Sequence, residues 1–179
     1  MKKLFGVALL FIQSVLSAQS GHKPLNPDEY MRMQDSVRQA MTGKPYPAFN
    51  YKADDGITYS NESLLGKKYY INFWFEGCHP CMEEMNSLIA LNNSLKGTGN
   101  EFISFTFEKP KDIKRIKQER GINFKVISIE HEECYRLNLN SGFPAHIVVD
   151  EKGNIEYVGM PFMSNEMEIK KVYELLKGK

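Results

Sequence analysis

The chain has 179 residues, which favours one domain with a short extension over two full domains. Hydrophobic residues make up 42% and charged residues 25% of it, as in an ordinary globular protein with enough apolar material for one core. The formal net charge of +1 gives no indication of a nucleic-acid partner or of binding to an anionic membrane surface.

The first residues have the pattern of a secretory signal peptide. Lys2 and Lys3 form a basic start, residues 4–16 are almost wholly apolar, and small residues follow up to Ala18. The apolar part is too short to span a bilayer comfortably as a helix. We therefore predict a signal peptide over residues 1–18 and export to the periplasm or cell envelope, with an uncleaved N-terminal anchor as the alternative.

Residues 19–42 are expected to form a polar leader and an extra N-terminal helix, ahead of the main domain at 43–179. Asn26 has a capping side chain and Pro27 suits the first helical position. The helix predicted over 28–41 has one apolar face and should pack on the outside of the main domain.

Strand and helix patterns alternate through the main domain. Strands are predicted at 49–51, 57–60, 69–75, 101–107, 124–129, 145–149 and 155–159, and helices after Cys81, at 110–120, at 131–137 and from about 165. The nearly continuous apolar run at 69–75 is typical of a central strand covered on both faces. The order predicts a layered α/β domain with a central mixed β-sheet flanked by helices.

The chain has three cysteines, Cys78, Cys81 and Cys134. A small secreted disulfide scaffold carries more of them, in even number, so one tight pair plus one extra cysteine is typical of a redox site. We interpret Cys134 as a small buried residue on a short helix, with a second redox centre or an intermolecular partner as the alternatives.

The tight cysteine pair lies between a predicted buried strand and the start of a helix. The first turn of a helix brings residues i and i+3 to about the 4.4–6.8 Å Cα separation that a disulfide needs. Unpaired backbone N–H groups and the helix dipole favour a thiolate there. Cys78 is therefore the predicted attacking thiolate, and Cys81 the resolving thiol that breaks the mixed disulfide with the substrate.

The two intervening residues are expected to modulate the pair. A protonated His79 would further favour the Cys78 thiolate. Pro80 falls in the first turn, where a missing N–H costs nothing. A structural clip or half of a zinc site is the alternative, but zinc needs about four ligands and the sequence has no second Cys-x-x-Cys and no spaced His pair. We expect neither a metal nor an organic cofactor.

Three segments resemble one known family. Residues 72–85 (NFWFEGCHPCMEEM) resemble the active-site segment of the TlpA/ResA-like branch of the thioredoxin superfamily. Residues 43–49 (GKPYPAF) are similar to its domain entry, and residues 142–153 (GFPAHIVVDEKG) to its segment around a cis-proline. The resemblance covers about residues 43–176 and implies a thioredoxin-like fold and a thiol–disulfide oxidoreductase.

The resemblance adds two site residues. Pro144 should follow a cis peptide bond and lie against the cysteine pair, and the preceding backbone would then pair with an extended substrate segment. Glu84 falls where similar proteins carry an active-site glutamate, three residues past Cys81. A partly buried carboxylate there could exchange a proton as Cys81 reacts, and a solvated helix glutamate is the alternative.

Two residues depart from the family pattern. Asn72 stands where thioredoxins carry a buried Asp, which leaves Glu84 as the nearby candidate for proton transfer. Gly77 stands where relatives usually have Trp, which should leave the rim of Cys78 more open.

The other chemically active side chains are interpreted as structural. Trp74 should pack in the core at the edge of the site. His131 and His146 are interpreted as surface or satisfied strand residues rather than as metal ligands.

The sequence thus predicts an exported enzyme that exchanges disulfides with cysteine-bearing envelope proteins through a Cys-His-Pro-Cys site. Reduction is the favoured direction, although His79 leaves oxidation open. The resemblance makes apocytochrome c a candidate client. A membrane-bound electron donor is expected as a partner if the protein reduces. A copper(I) metallochaperone that uses Cys78, Cys81 and His79 is one alternative. A binding module with a vestigial site is another, and a peroxiredoxin-like peroxidase is disfavoured by the tight pair.

Overall fold

A computed structural model describes residues 26–159 and 165–177. The predicted signal peptide at 1–18 and the leader up to residue 25 lie outside the described residues. Within the described part, no helix is long and apolar enough to cross a membrane.

The strands form a small hairpin and a larger sheet. The hairpin consists of β1 (Asn50–Lys52) and β2 (Thr58–Ser60), and the sheet of β3 (Tyr69–Phe73), β4 (Glu101–Thr106), β5 (Lys125–Ser128), β6 (Ala145–Val149) and β7 (Ile155–Val158). The order in the sheet is β5-β4-β3-β6-β7. Strands β3, β4 and β5 are parallel, whereas β6 is antiparallel to β3 and to β7. The predicted mixed sheet is confirmed.

Helices cover both faces of the sheet. They are α1 (Pro27–Met41), α2 (His79–Glu83), α3 (Met85–Ser94), α4 (Pro110–Arg120), α5 (His131–Leu137) and α6 (Asn165–Lys177), with a 3₁₀ helix at Glu62–Leu64. The predicted bounds of α4 and α5 are confirmed. The helix expected after Cys81 is instead divided into α2 and α3, because the backbone ψ of Glu84 is −8° rather than a helical value.

Side chains of the central strand alternate between two apolar clusters. Tyr69, Ile71 and Phe73 lie with the hairpin, the 3₁₀ helix and α5. Tyr70 lies on the opposite face with residues of α2, α3, α4 and α6. All five residues of β3 are buried, as expected for a strand covered on both faces.

The N-terminal helix α1 contacts β7 on the outside of the domain. Of its predicted apolar face, Met33 and Val37 are 44% and 45% exposed, whereas Met41 packs against the core. The Gly43 N–H donates to the Ile155 carbonyl at 2.8 Å and fixes the following segment to β7.

Candidate functional site

The cysteine pair begins the helix that follows the central strand. Cys78 is the N-cap of α2, and its sulfur accepts a hydrogen bond from the Cys81 N–H at 3.3 Å. The two residues are joined by a disulfide, and their Cα atoms are 5.3 Å apart. The structure therefore places the pair in the first turn, as the sequence pattern predicts.

The two cysteines differ in exposure. Cys78 is 6% exposed and Cys81 is fully buried. Cys78 is therefore the more accessible residue of the pair.

Aromatic rings line the rim of the pair. A Cβ atom on Gly77 would lie 3.2 Å from Cε2 of Phe75. The Phe75 ring stacks on Phe107, with centroids 5.1 Å apart, and meets Phe143 edge-on at 5.3 Å. Phe75 thus borders Gly77, which is itself exposed, and Cys78 is 6% exposed.

The segment before β6 contains the predicted cis-proline. The peptide bond between Phe143 and Pro144 is cis, as the resemblance implies. Pro144 is buried, and the half-buried Phe143 packs against the apolar cluster that contains both Cys78 and Cys81.

A buried carboxylate lies behind the pair. Glu84 is 1% exposed, so the alternative of a solvated helix glutamate is wrong. The Asn72 Nδ2 atom donates to Glu84 Oε1 at 3.1 Å. The other oxygen, Oε2, lies 3.3 Å from His146 Nε2. Cys81, three residues earlier, is also buried.

Of the two alternatives for His146, the structure supports the satisfied strand residue and not the surface residue, because His146 lies in β6 and is only 2% exposed. Its Nδ1 atom is 2.6 Å from the Tyr70 hydroxyl. Burial, with the nearby carboxylates of Glu84 and Glu168, raises the pKa of Tyr70 well above its ordinary value, so the phenol keeps its proton. The signal that could have identified this contact is the alternation of β3 and β6, which places residues 70, 72 and 146 on one face.

The His79 side chain, between the cysteines, lies apart from this network. The His79 side chain is 86% exposed, and its Nε2 atom lies 3.4 Å from Glu83. Pro80 occupies the first turn of α2, and its carbonyl accepts from the Glu84 N–H at 3.3 Å. The imidazole of His79 is therefore in solvent, where electrostatic interactions are screened.

Trp74 and Cys134 are structural, as predicted. Trp74 is fully buried and donates from Nε1 to Ser104 Oγ at 2.6 Å. Cys134 is fully buried, and burial, together with the charge of Glu133, raises the pKa of its thiol to about 12. Over residues 26–159 and 165–177, no group of three or more His, Cys, Asp or Glu side chains is arranged to hold a metal ion.

Known proteins share this architecture. The Redoxin family model matches residues 41–176. The thiol-disulfide oxidoreductase ResA of Halalkalibacterium halodurans is 26% identical over 136 residues, which cover 73% of this chain and 75% of that protein. The thioredoxin-like protein YneN of Bacillus subtilis is 27% identical over 133 residues, which cover 72% of this chain and 77% of YneN.

Solved structures agree with these sequence matches. A thiol:disulfide interchange protein of the thioredoxin family from Chlorobium tepidum aligns with a TM-score of 0.63 and 25% identity, covering 75% of this chain and 97% of its own. The family match covers most of the chain and includes the cysteine pair, the buried glutamate and the cis-proline segment. The chain thus belongs to the Redoxin family and is a thiol–disulfide oxidoreductase of the TlpA/ResA-like branch of the thioredoxin superfamily.

Proposed function

We propose that the protein reduces disulfides in exported, cysteine-bearing proteins of the cell envelope through Cys78 and Cys81. The observation that carries this proposal is the unequal exposure of the pair, 6% for Cys78 and 0% for Cys81. A folded or unfolded client can meet only the outer sulfur, which gives each cysteine a separate step.

In the first step the reduced Cys78, as a thiolate, attacks one sulfur of the client disulfide. The client S–S bond breaks, its second sulfur leaves as a thiolate, and a mixed disulfide joins Cys78 to the client. The Cys81 N–H, which points at the Cys78 sulfur at 3.3 Å, supports negative charge on that sulfur.

In the second step Cys81 attacks the Cys78 sulfur. The Cys81 thiol must lose its proton, and we assign Glu84 as the acceptor, because its carboxylate is buried and lies three residues after the buried Cys81. The client leaves as a thiolate and the Cys78–Cys81 disulfide forms. Two electrons have then passed from the protein to the client disulfide, which becomes a dithiol.

The segment before β6 would hold the client. An extended client strand can form main-chain hydrogen bonds with the backbone that precedes Pro144. The adjoining rings of Phe75 and Phe143 offer apolar contact beside the reacting sulfur.

The position of His79 supports reduction over oxidation. A strongly oxidising site is one in which the reduced thiolate form is stabilised. The 86%-exposed imidazole of His79 interacts with Glu83 in solvent, so it contributes little to that stabilisation.

The predicted signal peptide at 1–18 supports a place in the periplasm or cell envelope. A reductase there needs electrons from outside the compartment, so we propose a membrane-bound electron donor. The family resemblance makes apocytochrome c a candidate client. The exchange steps use cysteine chemistry alone and need no organic cofactor.

Trapping experiments test the proposal. Cys81→Ser keeps the attacking sulfur but cannot resolve, so it should accumulate reductant-sensitive covalent adducts with envelope proteins. Cys78→Ser is the matched control and should form none. Equal adducts in both variants would contradict the assignment. Stoichiometric retention of copper(I) by the reduced protein, without disulfide reduction, would instead support the metallochaperone alternative.

A further inference from the structure

A chain of buried polar side chains runs from the cysteine helix into the sheet. Glu84 Oε2 lies 3.3 Å from His146 Nε2, and His146 Nδ1 lies 2.6 Å from the Tyr70 hydroxyl. These three residues are 1%, 2% and 0% exposed. Buried polar groups of this kind need partners, because isolation from water is costly.

The hydrogen positions on Tyr70 and His146 follow from these contacts. The Tyr70 phenol keeps its proton because burial, with the nearby carboxylates of Glu84 and Glu168, raises its pKa. It can therefore donate to His146 Nδ1. A neutral imidazole that accepts at Nδ1 carries its hydrogen on Nε2, which faces Glu84.

The carboxylate oxygen that faces the imidazole can accept a further hydrogen bond. Glu84 Oε1 accepts from Asn72 at 3.1 Å, whereas Oε2 completes no hydrogen bond with any described residue in this oxidised state. Its 3.3 Å contact with His146 is long for a hydrogen bond. Contacts of catalytic groups are often long in the resting protein and shorten during the reaction.

Other titratable groups surround Glu84, His146 and Tyr70. From α2, Cys81 is buried three residues before Glu84. From α6, Glu168 approaches His146: a Cβ atom on Gly159 would meet Glu168 Oε1 at 2.2 Å and His146 Cβ at 2.8 Å. From β7, the Tyr157 hydroxyl donates to Glu168 Oε1 at 2.6 Å. Glu168 is thus held by Tyr157, while Glu84 is the carboxylate that the His146 ring faces.

We propose that His146, oriented by Tyr70, is a positioning residue that aims the Glu84 carboxylate to take the proton of Cys81 in the resolving step. This inference rests on the proposed role of Glu84 as proton acceptor. As Cys81 attacks, its proton moves to Glu84 Oε2, the bond between Cys78 and the client sulfur breaks, and the client leaves as a thiolate. The proton then passes from Glu84 to solvent or to the departing thiolate, so that the site returns to its starting charge.

The two steps can be timed separately with a small disulfide. Pre-reduced protein is mixed with equimolar dithiobis(nitrobenzoate): attack by Cys78 releases one coloured thionitrobenzoate, and resolution by Cys81 releases the second. The variants are Glu84→Gln, His146→Leu, the double variant and Tyr70→Phe. Tyr46→Phe is the matched control, because Tyr46 is also a buried tyrosine with a hydrogen-bonded hydroxyl but lies in the other apolar cluster.

We expect the second phase to slow about a hundredfold in Glu84→Gln and about tenfold in His146→Leu, with the first phase unchanged. The double variant should be no slower than Glu84→Gln, because both changes remove one function. The rate–pH profile of the second phase should move to higher pH in His146→Leu and stay in place in Tyr46→Phe. If His146→Leu does not fold, Tyr70→Phe carries the test and should slow the second phase severalfold.

The outcomes distinguish failure of the role proposed for Glu84 from failure of the role proposed for His146. A normal second phase in Glu84→Gln would overturn the proton-acceptor role itself. A slow second phase in Glu84→Gln with a normal rate and profile in folded His146→Leu and Tyr70→Phe would overturn only the role of His146.

Discussion

Asn72 and His146 face each other across the antiparallel pairing of β3 and β6, and each directs a side-chain nitrogen at Glu84. The distances are 3.1 Å from Asn72 Nδ2 to Oε1 and 3.3 Å from His146 Nε2 to Oε2. The strand register therefore decides where a buried carboxylate can be held behind the cysteine pair. Asn72 suits this place because an amide donates a hydrogen bond and adds no second negative charge.

Restoring an acid at position 72 should destabilise the fold. Asn72→Asp removes the donor to Glu84 and buries a second carboxyl beside it, with an expected cost of about 2 kcal/mol at neutral pH. The new carboxyl is forced to stay protonated, so its folded-state pKa lies above the unfolded one. Stability is then retained at low pH and lost as pH rises.

Urea denaturation at about pH 4 and about pH 8 measures this effect. Asn138→Asp is a useful control, because Asn138 is also buried and donates to the Gly142 carbonyl rather than to a carboxylate. The expected loss between the two pH values is larger at position 72. An equal loss in the two variants would contradict the charge argument.

Gly159 should be intolerant of a side chain. Its Cβ would lie 2.2 Å from Glu168 Oε1 and 2.8 Å from His146 Cβ, so Gly159→Ala should cost about 3 kcal/mol. Gly97 has a φ of +80° and no neighbour within 4 Å of a Cβ, so Gly97→Ala should cost only backbone strain, about 1 kcal/mol. Denaturant midpoints of the two variants measure these costs. A smaller loss of stability in Gly159→Ala than in Gly97→Ala would mean that the Glu168 side chain moves aside.

Cys134 should be chemically inert in the native protein. Burial, with the charge of Glu133, raises the pKa of its thiol to about 12, so almost no thiolate exists at neutral pH. Iodoacetamide should leave the oxidised native protein unlabelled and label one cysteine after denaturation. Cys134→Ala should retain the wild-type rate of disulfide exchange. Rapid labelling of the native protein would revive the alternative of a second redox centre.

Glu101 should contribute stability that depends on pH. Burial alone would raise the pKa of this carboxyl, but hydrogen bonds from Lys125 and Lys67 outweigh it and hold the pKa below its usual value. The stabilisation is therefore present above the ordinary carboxyl pKa and lost as pH falls through the lowered one. Because the pair is partly solvated, Glu101→Gln should cost only about 0.5 kcal/mol at pH 7 and nothing in strong acid. A cost that persists in acid would contradict the ionic origin.

Local signals made several elements predictable. The bounds of α4 follow from Pro110 at its start and from Gly121, whose φ of 68° ends the helix. The burial of β3 was predictable from its unbroken apolar run. The position of Cys78 and Cys81 was predictable because a buried strand, the Cys-x-x-Cys motif and a helix follow one another in the sequence.

Contacts between distant segments could not be predicted from the local sequence pattern. His146 and Tyr70 are 76 residues apart, and their contact depends on the register of two strands. The break at Glu84 has no local signature such as Gly, and it accompanies the burial of that carboxylate.

The reduction potential of the Cys78–Cys81 couple, obtained by equilibration against defined thiol buffers, tests the proposed direction of electron flow most directly. The exposed position of His79 and the lack of close cationic support for the Cys78 thiolate among the described contacts predict a value near that of thioredoxin, about −270 mV. A value of about −120 mV would identify an oxidant that inserts disulfides and would contradict the proposed reductase.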